Sequence, residues 1–270
     1  MNKPESRHLK IVVLVKYVPN SDSQREFDHN GVLHRHEGIM SELDEYAMET
    51  ALQLAEENPS PEAAGQVIAL TMGPSEASGV IKHCLQMGAH EGVHIMDDSL
   101  AASDVYATSQ VLAAAVEYIG EVDLVITGMS STDGGTSAVP AQIAERLQLP
   151  QVTFATSLTI DKEGTLRATR ETDASLETLE SSLPALVSVT DQINKPRYPN
   201  FRGIMAAKNK TVRTLGVSDL SMNTGDGIPR NRIVVEQITS RPRRQQGTII
   251  VDEGDASVQL LNFLMNQKLL

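Results

Sequence analysis

The residues best suited to chemistry in this chain lie in one run: Gly128-Met129-Ser130-Ser131-Thr132-Asp133-Gly134-Gly135-Thr136-Ser137-Ala138-Val139-Pro140. The run offers hydrogen-bond donors and small side chains, which let an anion approach the main chain closely. Before it, Leu124-Val125-Ile126-Thr127 has the β-branched, apolar composition of a strand covered on both faces. After it, Ile143, Ala144 and Leu147 fall on one helical face, and Pro140 suits a first helical turn. Strand, glycine-rich loop and helix N-terminus together can bind a phosphate through backbone N–H groups and the positive end of the helix dipole. The same run also reads as an ordinary strand-to-helix connection capped by Ser137 or Thr136. It matches neither G-x-G-x-x-G nor G-x-x-x-x-G-K-[ST].

The elements needed to position such a loop are legible upstream. Residues 9–18 read as a buried first strand, interrupted by Pro19 and Asn20, and residues 26–34 as a short hairpin around Asp28-His29-Asn30-Gly31. Ser41-Glu42-Leu43-Asp44 has the chemistry of a helix N-cap and first turn, leading into an amphipathic helix that ends near Asn58-Pro59. Residues 65–72 form a second strand, and Gly73-Pro74 a turn into a helix that buries Val80, Ile81, Cys84 and Leu85 and closes at Gly88. Residues 92–96 form a third strand, and 103–119 a further helix with Val111, Leu112, Ala115 and Val116 at core spacing. This β-α alternation predicts a doubly wound, mostly parallel α/β sheet. Ligands of such sheets sit beyond the carboxyl ends of the strands where strand order reverses. Leu14, Lys16, Met72, Gly73 and the 128–139 loop fall there, with Ser41, Leu43 and Asp44 entering from a neighbouring loop, so a nucleotide is the first ligand to consider.

The pattern changes after Pro150. Residues 152–160 and 165–169 alternate and flank Asp161-Lys162-Glu163-Gly164, an antiparallel hairpin added to the sheet. A buried strand follows at 185–189. In 194–208, Pro196 and Pro199 flank Tyr198, with Phe201, Ile204 and Met205 just beyond and Arg197 beside them. Apolar groups held out on a stiff loop point to docking, and the alternative is a loop folded back on its own core. Residues 221–250 carry no core pattern, and 257–268 form a terminal amphipathic helix, either packed on a partner or leading a solvated linker. Residues 1–220 are thus expected to form one nucleotide-binding domain and 221–270 an extended C-terminal arm.

Composition narrows the function classes. Thirty-five acidic against 23 basic residues give a net charge of −12, which repels nucleic acid, and the absence of Trp with 3% aromatics leaves little for base stacking. One cysteine, Cys84, excludes an internal disulfide and reads as core filler. His29, His34 and His36 read as surface residues. No apolar run approaches the about 20 residues that cross a bilayer, and the polar N-terminus is no secretory signal, so a soluble cytoplasmic protein is expected. No H-E-x-x-H, G-x-S-x-G or paired acid/base set is present, which points away from an enzyme with its own chemistry. An adenine-nucleotide-dependent enzyme or sensor of the same fold is the alternative class.

A family resemblance becomes visible across residues 9–210. Val15-Lys16-x-Val18-Pro19, Gly73-Pro74, Met87-Gly88-Ala89, the 128–139 loop, Pro150-Gln151-x-Thr153-Phe154, Arg170-Glu171-x-Asp173, Leu176-Glu177-Thr178-Leu179, Leu183-Pro184-Ala185, Asn194-Lys195-Pro196-Arg197-Tyr198 and Ile204-Met205-x-Ala207-Lys208 occur in order. Together they resemble the β subunit of electron transfer flavoprotein, most closely its Gram-positive, actinobacterial-type branch. The resemblance implies an αβ heterodimer with one FAD held mostly by the α subunit, accepting electrons from acyl-CoA and related dehydrogenases and passing them to a membrane quinone oxidoreductase. It implies a structural AMP in the β subunit, or a second FAD as in bifurcating members, contacting Leu14, Lys16, Ser41, Leu43, Asp44, Met72, Gly73, Gly128 and Ser130 through Val139. It also implies that Glu171 pairs with an α-subunit Arg and that Phe201 anchors a recognition loop in partner dehydrogenases. This chain departs from the family pattern in a leaner loop at 135–139, in Ser41 where the family has Asn, in Leu43 where it has an aromatic, and in Phe201 where Leu is common.

Overall fold

The computed structural model describes residues 9–23, 25–28, 31–35, 37–57, 65–222, 229–239 and 246–270. The chain divides into two compact units, Met1–Val234 and Val235–Leu270.

In the first unit, β1 (Lys10–Leu14) buries almost every side chain, and its alternation sends Ile11 and Val13 to one face and Val12 and Leu14 to the other. The following elements are β2 (Tyr17–Val18), β3 (Ile39–Met40), α1 (Glu42–Glu56), β4 (Gln66–Met72), α2 (Ser78–Met87), β5 (Glu91–Ile95), α3 (Val105–Ile119), β6 (Leu124–Gly128) and α4 (Val139–Arg146). The Ile11/Val13 face packs α1 and α2, and the Val12/Leu14 face packs α3 and α4. Each fully buried aliphatic side chain contributes on the order of 1.5–3 kcal/mol. Cys84 is core filler on α2, and burial pushes its thiol well above the usual range.

Beyond α4 come β7 (Gln151–Ile160), β8 (Thr165–Glu171), β9 (Leu176–Ser182), β10 (Ala185–Val189), α5 (Phe201–Ala207) and β11 (Val212–Leu215). The main sheet has the order β11-β5-β4-β1-β6-β10-β7-β8-β9, parallel from β11 to β7 and antiparallel at β7-β8-β9. From β1 the chain moves outward to β4 and β5, then returns across β1 to β6, so strand order reverses on either side of β1. In register, Leu14 lies between Leu70 of β4 and Thr127 of β6, which brings three carboxyl ends to one edge.

Two local expectations are corrected. The strand foreseen over 9–18 breaks after Leu14: the Lys16 N–H is taken by the Asp44 carboxylate and its carbonyl by Ser41 N–H, so the ladder stops and Tyr17–Val18 pairs instead with β3. The short hairpin expected over 26–34 is present as the antiparallel bridge Phe27–Leu33, with Asp28 N–H donating to Val32 O at 2.9 Å and His34 N–H to Glu26 O at 2.8 Å; residues 29 and 30 lie outside the described residues. The stiff loop over 194–208 contains α5, capped by Asn200, whose side chain accepts from Gly203 N–H at 2.8 Å. The helix end near Asn58-Pro59, and His29 and His36, lie outside the described residues.

The second unit contains α6 (Ala256–Asn266), none of whose side chains is buried; Val258, Leu260, Leu261, Phe263 and Met265 are exposed. Among the described residues no helix is long and apolar enough to cross a membrane.

Candidate functional site

The carboxyl ends of β1 and β6 are joined through the first turn of α1. Lys16 N–H donates to Asp44 Oδ2 at 2.8 Å, and Ser41 N–H donates to Lys16 O at 2.9 Å. Gly128 lets α1 come this close: a Cβ there would stand 2.7 Å from Asp44 Oδ1 and 2.8 Å from Leu43 O. Burial pushes the Asp44 carboxyl up to about 7, despite the Lys16 and Gly128 N–H groups that favour its ionised form.

Above this base, Asp133 organises the loop. Its side chain is 1% exposed; Oδ1 accepts from Lys16 Nζ at 2.7 Å and from Gly134 N–H at 2.6 Å, and Oδ2 accepts from Arg35 at 2.9 Å. Lys16 Nζ also reaches Ser131 Oγ at 3.3 Å, and Arg25 donates to Thr132 O at 2.9 Å. Burial opposes ionisation of Asp133, but the Lys16 ammonium and Arg35 guanidinium outweigh it and hold the carboxyl down at about 2. Lys16 and Arg35 thus meet the buried Asp133 carboxylate while Arg25 holds the Thr132 carbonyl, so three cations gather at the loop in a chain of net charge −12.

The next residues open a hollow. Gly135 and Ser137 have φ of +61° and +52°, while Ala138 is right-handed at φ −93°, ψ −23° and leads directly into α4. A left-handed residue followed by a right-handed one turns successive N–H groups toward one point, the backbone form of an anion nest. Among the described residues, the N–H groups of Thr136, Ser137, Ala138 and Val139 donate to no protein acceptor. Neither Ser137 nor Thr136 caps α4: its N-cap is Ala138, without a side-chain bond. The ordinary capped connection is therefore not what forms, and the free donors fit an anion the size of a phosphate.

The other sequence-predicted contacts gather at this edge unevenly. Leu14 ends β1 and is buried, and Ser130 to Asp133 line the loop beside Lys16. Ser41 occupies the N-cap of α1 without capping it; its Oγ is wholly buried and has no hydrogen-bond partner among the described residues. The backbone of Ser41 is drawn to Lys16 O, and Asp44 is diverted to Lys16 and Gly128, which explains the failed cap. Met72 and Gly73 end β4, but Gly73 is engaged by β5: its N–H donates to Ile95 O at 3.1 Å and its carbonyl lies 3.0 Å from His94 Nε2. Arg25 and Arg35 were absent from the sequence expectations. The signal for them is topological, because the segment between β1 and α1 must pass over the carboxyl ends of the strands. Among the described residues no group of three or more His, Cys, Asp or Glu is placed to hold a metal ion.

The expected partner residues fall in two places. Glu171 ends β8, exposed, opposite the exposed Leu176 of β9, while its neighbour Arg170 is consumed by Glu177. Tyr198 and Phe201 are 88% and 79% exposed, and Ile204 and Met205 also face solvent on α5. Arg197 turns inward instead, with ion pairs to Glu49 at 2.7 Å and Glu56 at 2.6 Å on α1.

A doubly wound, mostly parallel sheet covered by helices on both faces, with a loop at its switch point whose backbone N–H groups at 136–139 have no acceptor among the described residues, defines an α/β protein. The model of the electron transfer flavoprotein domain matches residues 30–220, and the chain belongs to the electron transfer flavoprotein family. It is 40% identical over 264 residues to the electron transfer flavoprotein subunit beta of Mycobacterium tuberculosis (strain ATCC 25618 / H37Rv), covering 96% of this chain and 99% of that one. It is 35% identical over 219 residues to the caffeyl-CoA reductase-Etf complex subunit CarD of Acetobacterium woodii, with 80% and 81% covered. The acryloyl-CoA reductase electron transfer subunit gamma of Anaerotignum propionicum is 35% identical over 213 residues, 77% of each chain.

Proposed function

We propose that this chain is the β subunit of a heterodimeric electron carrier and performs no chemistry of its own. The end-to-end match with the mycobacterial β subunits carries the reading. The partner is an α subunit that holds most of one FAD, and that flavin, when bound, supplies the capacity to accept and release electrons. Electrons come from acyl-CoA and related dehydrogenases of fatty acid oxidation and leave to a membrane quinone oxidoreductase, with the carrier itself cytoplasmic.

The chain's own residues bind and orient. The N–H groups of Ser137, Ala138 and Val139 hold the phosphate of an adenine nucleotide, with Lys16, Arg25 and Arg35 supplying positive charge nearby. The buried Ser41 hydroxyl is a spare hydrogen-bonding group at the same edge. Asp133 already occupies Lys16, Arg35 and Gly134 N–H, which leaves fewer donors for a second phosphate; this supports AMP over a second FAD. Glu171, free of the ion pair that engages Arg170, presents its carboxylate to an arginine of the α subunit. Tyr198, Phe201, Ile204 and Met205 form the contact for a dehydrogenase, and the arm over 221–270 packs the apolar face of α6 on the α subunit.

Expression with and without an α subunit tests the reading. Flavin absorbance that copurifies only when the α subunit is present is expected. Flavin bound by this chain alone, or turnover of an adenine nucleotide by it, would contradict the carrier and favour the nucleotide-dependent enzyme.

A further inference from the structure

The helix α5 has seven residues and buries none of them. An isolated helix of this length is unstable in water, and of its side chains only Ala207, half-buried, packs against the core. Most of what holds it is polar and lies at its ends. On the N-terminal side, Asn194 Nδ2 donates to Tyr46 O at 3.0 Å and to Thr50 Oγ1 at 2.8 Å. Arg197 donates to both oxygens of Glu49 and both of Glu56, tying the segment to positions about two turns apart on α1. The Glu49 side chain is only 5% exposed, so Arg197 also neutralises a nearly buried carboxylate. On the C-terminal side, Lys210 Nζ donates to Leu85 O at 2.9 Å and Gly88 O at 3.2 Å, at the end of α2. Between the clamps, Gly203 lies flat on α2: a Cβ on it would stand 2.4 Å from Gln86 O.

We propose that Arg197 and Gly203 are positioning residues that hold α5 as a fixed platform, so that Tyr198 and Phe201 are presented outward before any partner arrives. The inference rests on the reading of α5 as the dehydrogenase contact, and it assigns Arg197 to the support rather than to the contact itself. The chemistry explains the arrangement. A helix seated by its own apolar face would have to bury the side chains it is meant to offer; polar clamps and a glycine leave them free. A platform ordered in advance spares the partner the entropy of ordering it.

The test uses the purified αβ complex with bound FAD and an acyl-CoA dehydrogenase reduced by its acyl-CoA substrate, with the dehydrogenase as the varied reactant. Gly203→Ala puts a methyl group against Gln86 O, on the side of α5 away from the exposed residues, and changes no charge. Arg197→Lys keeps the charge opposite Glu49 but loses the fork that bridges two carboxylates. For both variants the KM for the dehydrogenase is expected to rise by about tenfold or more, with kcat at saturation, flavin content, complex mass and bound nucleotide unchanged. Phe201→Ala serves as the reference. If it raises KM while Gly203→Ala and Arg197→Lys do not, the contact stands and the positioning role is refuted. If Phe201→Ala leaves KM unchanged, the docking reading fails and the inference with it. A fall in kcat or in complex yield at unchanged KM would show that the clamps serve only stability.

Discussion

Asp44 and Asp133 lie one above the other at the end of β1, and their environments push them in opposite directions. Asp133 is held ionised by Lys16 and Arg35 down to about pH 2. Its stabilisation is present above the ordinary carboxylate range and is lost as pH falls from about 4 toward 2. Asp44 is pushed to about 7 by burial, so the folded chain keeps a proton that the unfolded chain releases between about pH 4 and 7. Stability therefore falls as pH rises through that window, by an amount on the order of a few kcal/mol. Asp44→Asn cannot ionise and keeps one acceptor oxygen, for the Lys16 N–H, which sets a constant offset in stability but removes the pH dependence. Unfolding by urea between pH 4 and 8 should show the variant gaining on the natural protein steadily as pH rises, reaching its full advantage near pH 7. Equal slopes for the two proteins would mean that Asp44 titrates like an exposed carboxylate. The side chains that tie this corner together, Lys16 and Asp44, were both legible as candidates from their places at a strand end and a helix start. Their pairing was not, because an N-cap pattern describes a helix in isolation and here the carboxylate serves a neighbouring strand.

At the scale of elements, the sheet was readable because β-branched runs such as Ile11-Val12-Val13 and Leu124-Val125-Ile126 are buried on both faces and have no other use. The parallel core and the hairpin of β7 and β8 follow from that alternation, whereas the order of the strands is set by contacts across the sheet. What escaped was set by contacts between elements. Phe154 sits in β7 at φ +59°, where the register with β10 shifts, and that with β8 shifts just beyond, between Ala155 and Ser157; no local pattern announces a bulge fixed by its neighbours. α5 escaped for a similar reason, since its supports are residues of α1 and α2. Gly128 is the clearest case of one element depending on another. Gly128→Ala would drive a methyl group into Asp44 and Leu43 O and prise α1 from β6, at a cost of about 1–3 kcal/mol. Thermal unfolding should show the loss, together with weaker nucleotide retention. An unchanged melting temperature would mean that α1 shifts freely, and that the close approach does not define the site.

At the scale of the whole molecule, the chain divides into the units Met1–Val234 and Val235–Leu270. The compact unit Met1–Val234 carries the sheet and the loop, and the end of this unit is fastened locally: Arg232 and Ile233 N–H groups both donate to Asp104 Oδ2, and Arg232 lies over the Tyr106 ring. Beyond it, α6 exposes Val258, Leu260, Leu261, Phe263 and Met265, apolar area that a stable protein covers. Removal of residues 235–270 should leave the sheet folded by circular dichroism and weaken assembly with the α subunit by tenfold or more in sedimentation or titration calorimetry. Undiminished assembly would remove the arm from the interface.

The central claim is that backbone amides at 137–139 hold the phosphate of an adenine nucleotide in an electron carrier. Acid release of bound nucleotides from the purified αβ complex, followed by mass measurement and quantitation, tests it most directly. One AMP and one FAD per complex is the expected result. One FAD with no second nucleotide would contradict the claim.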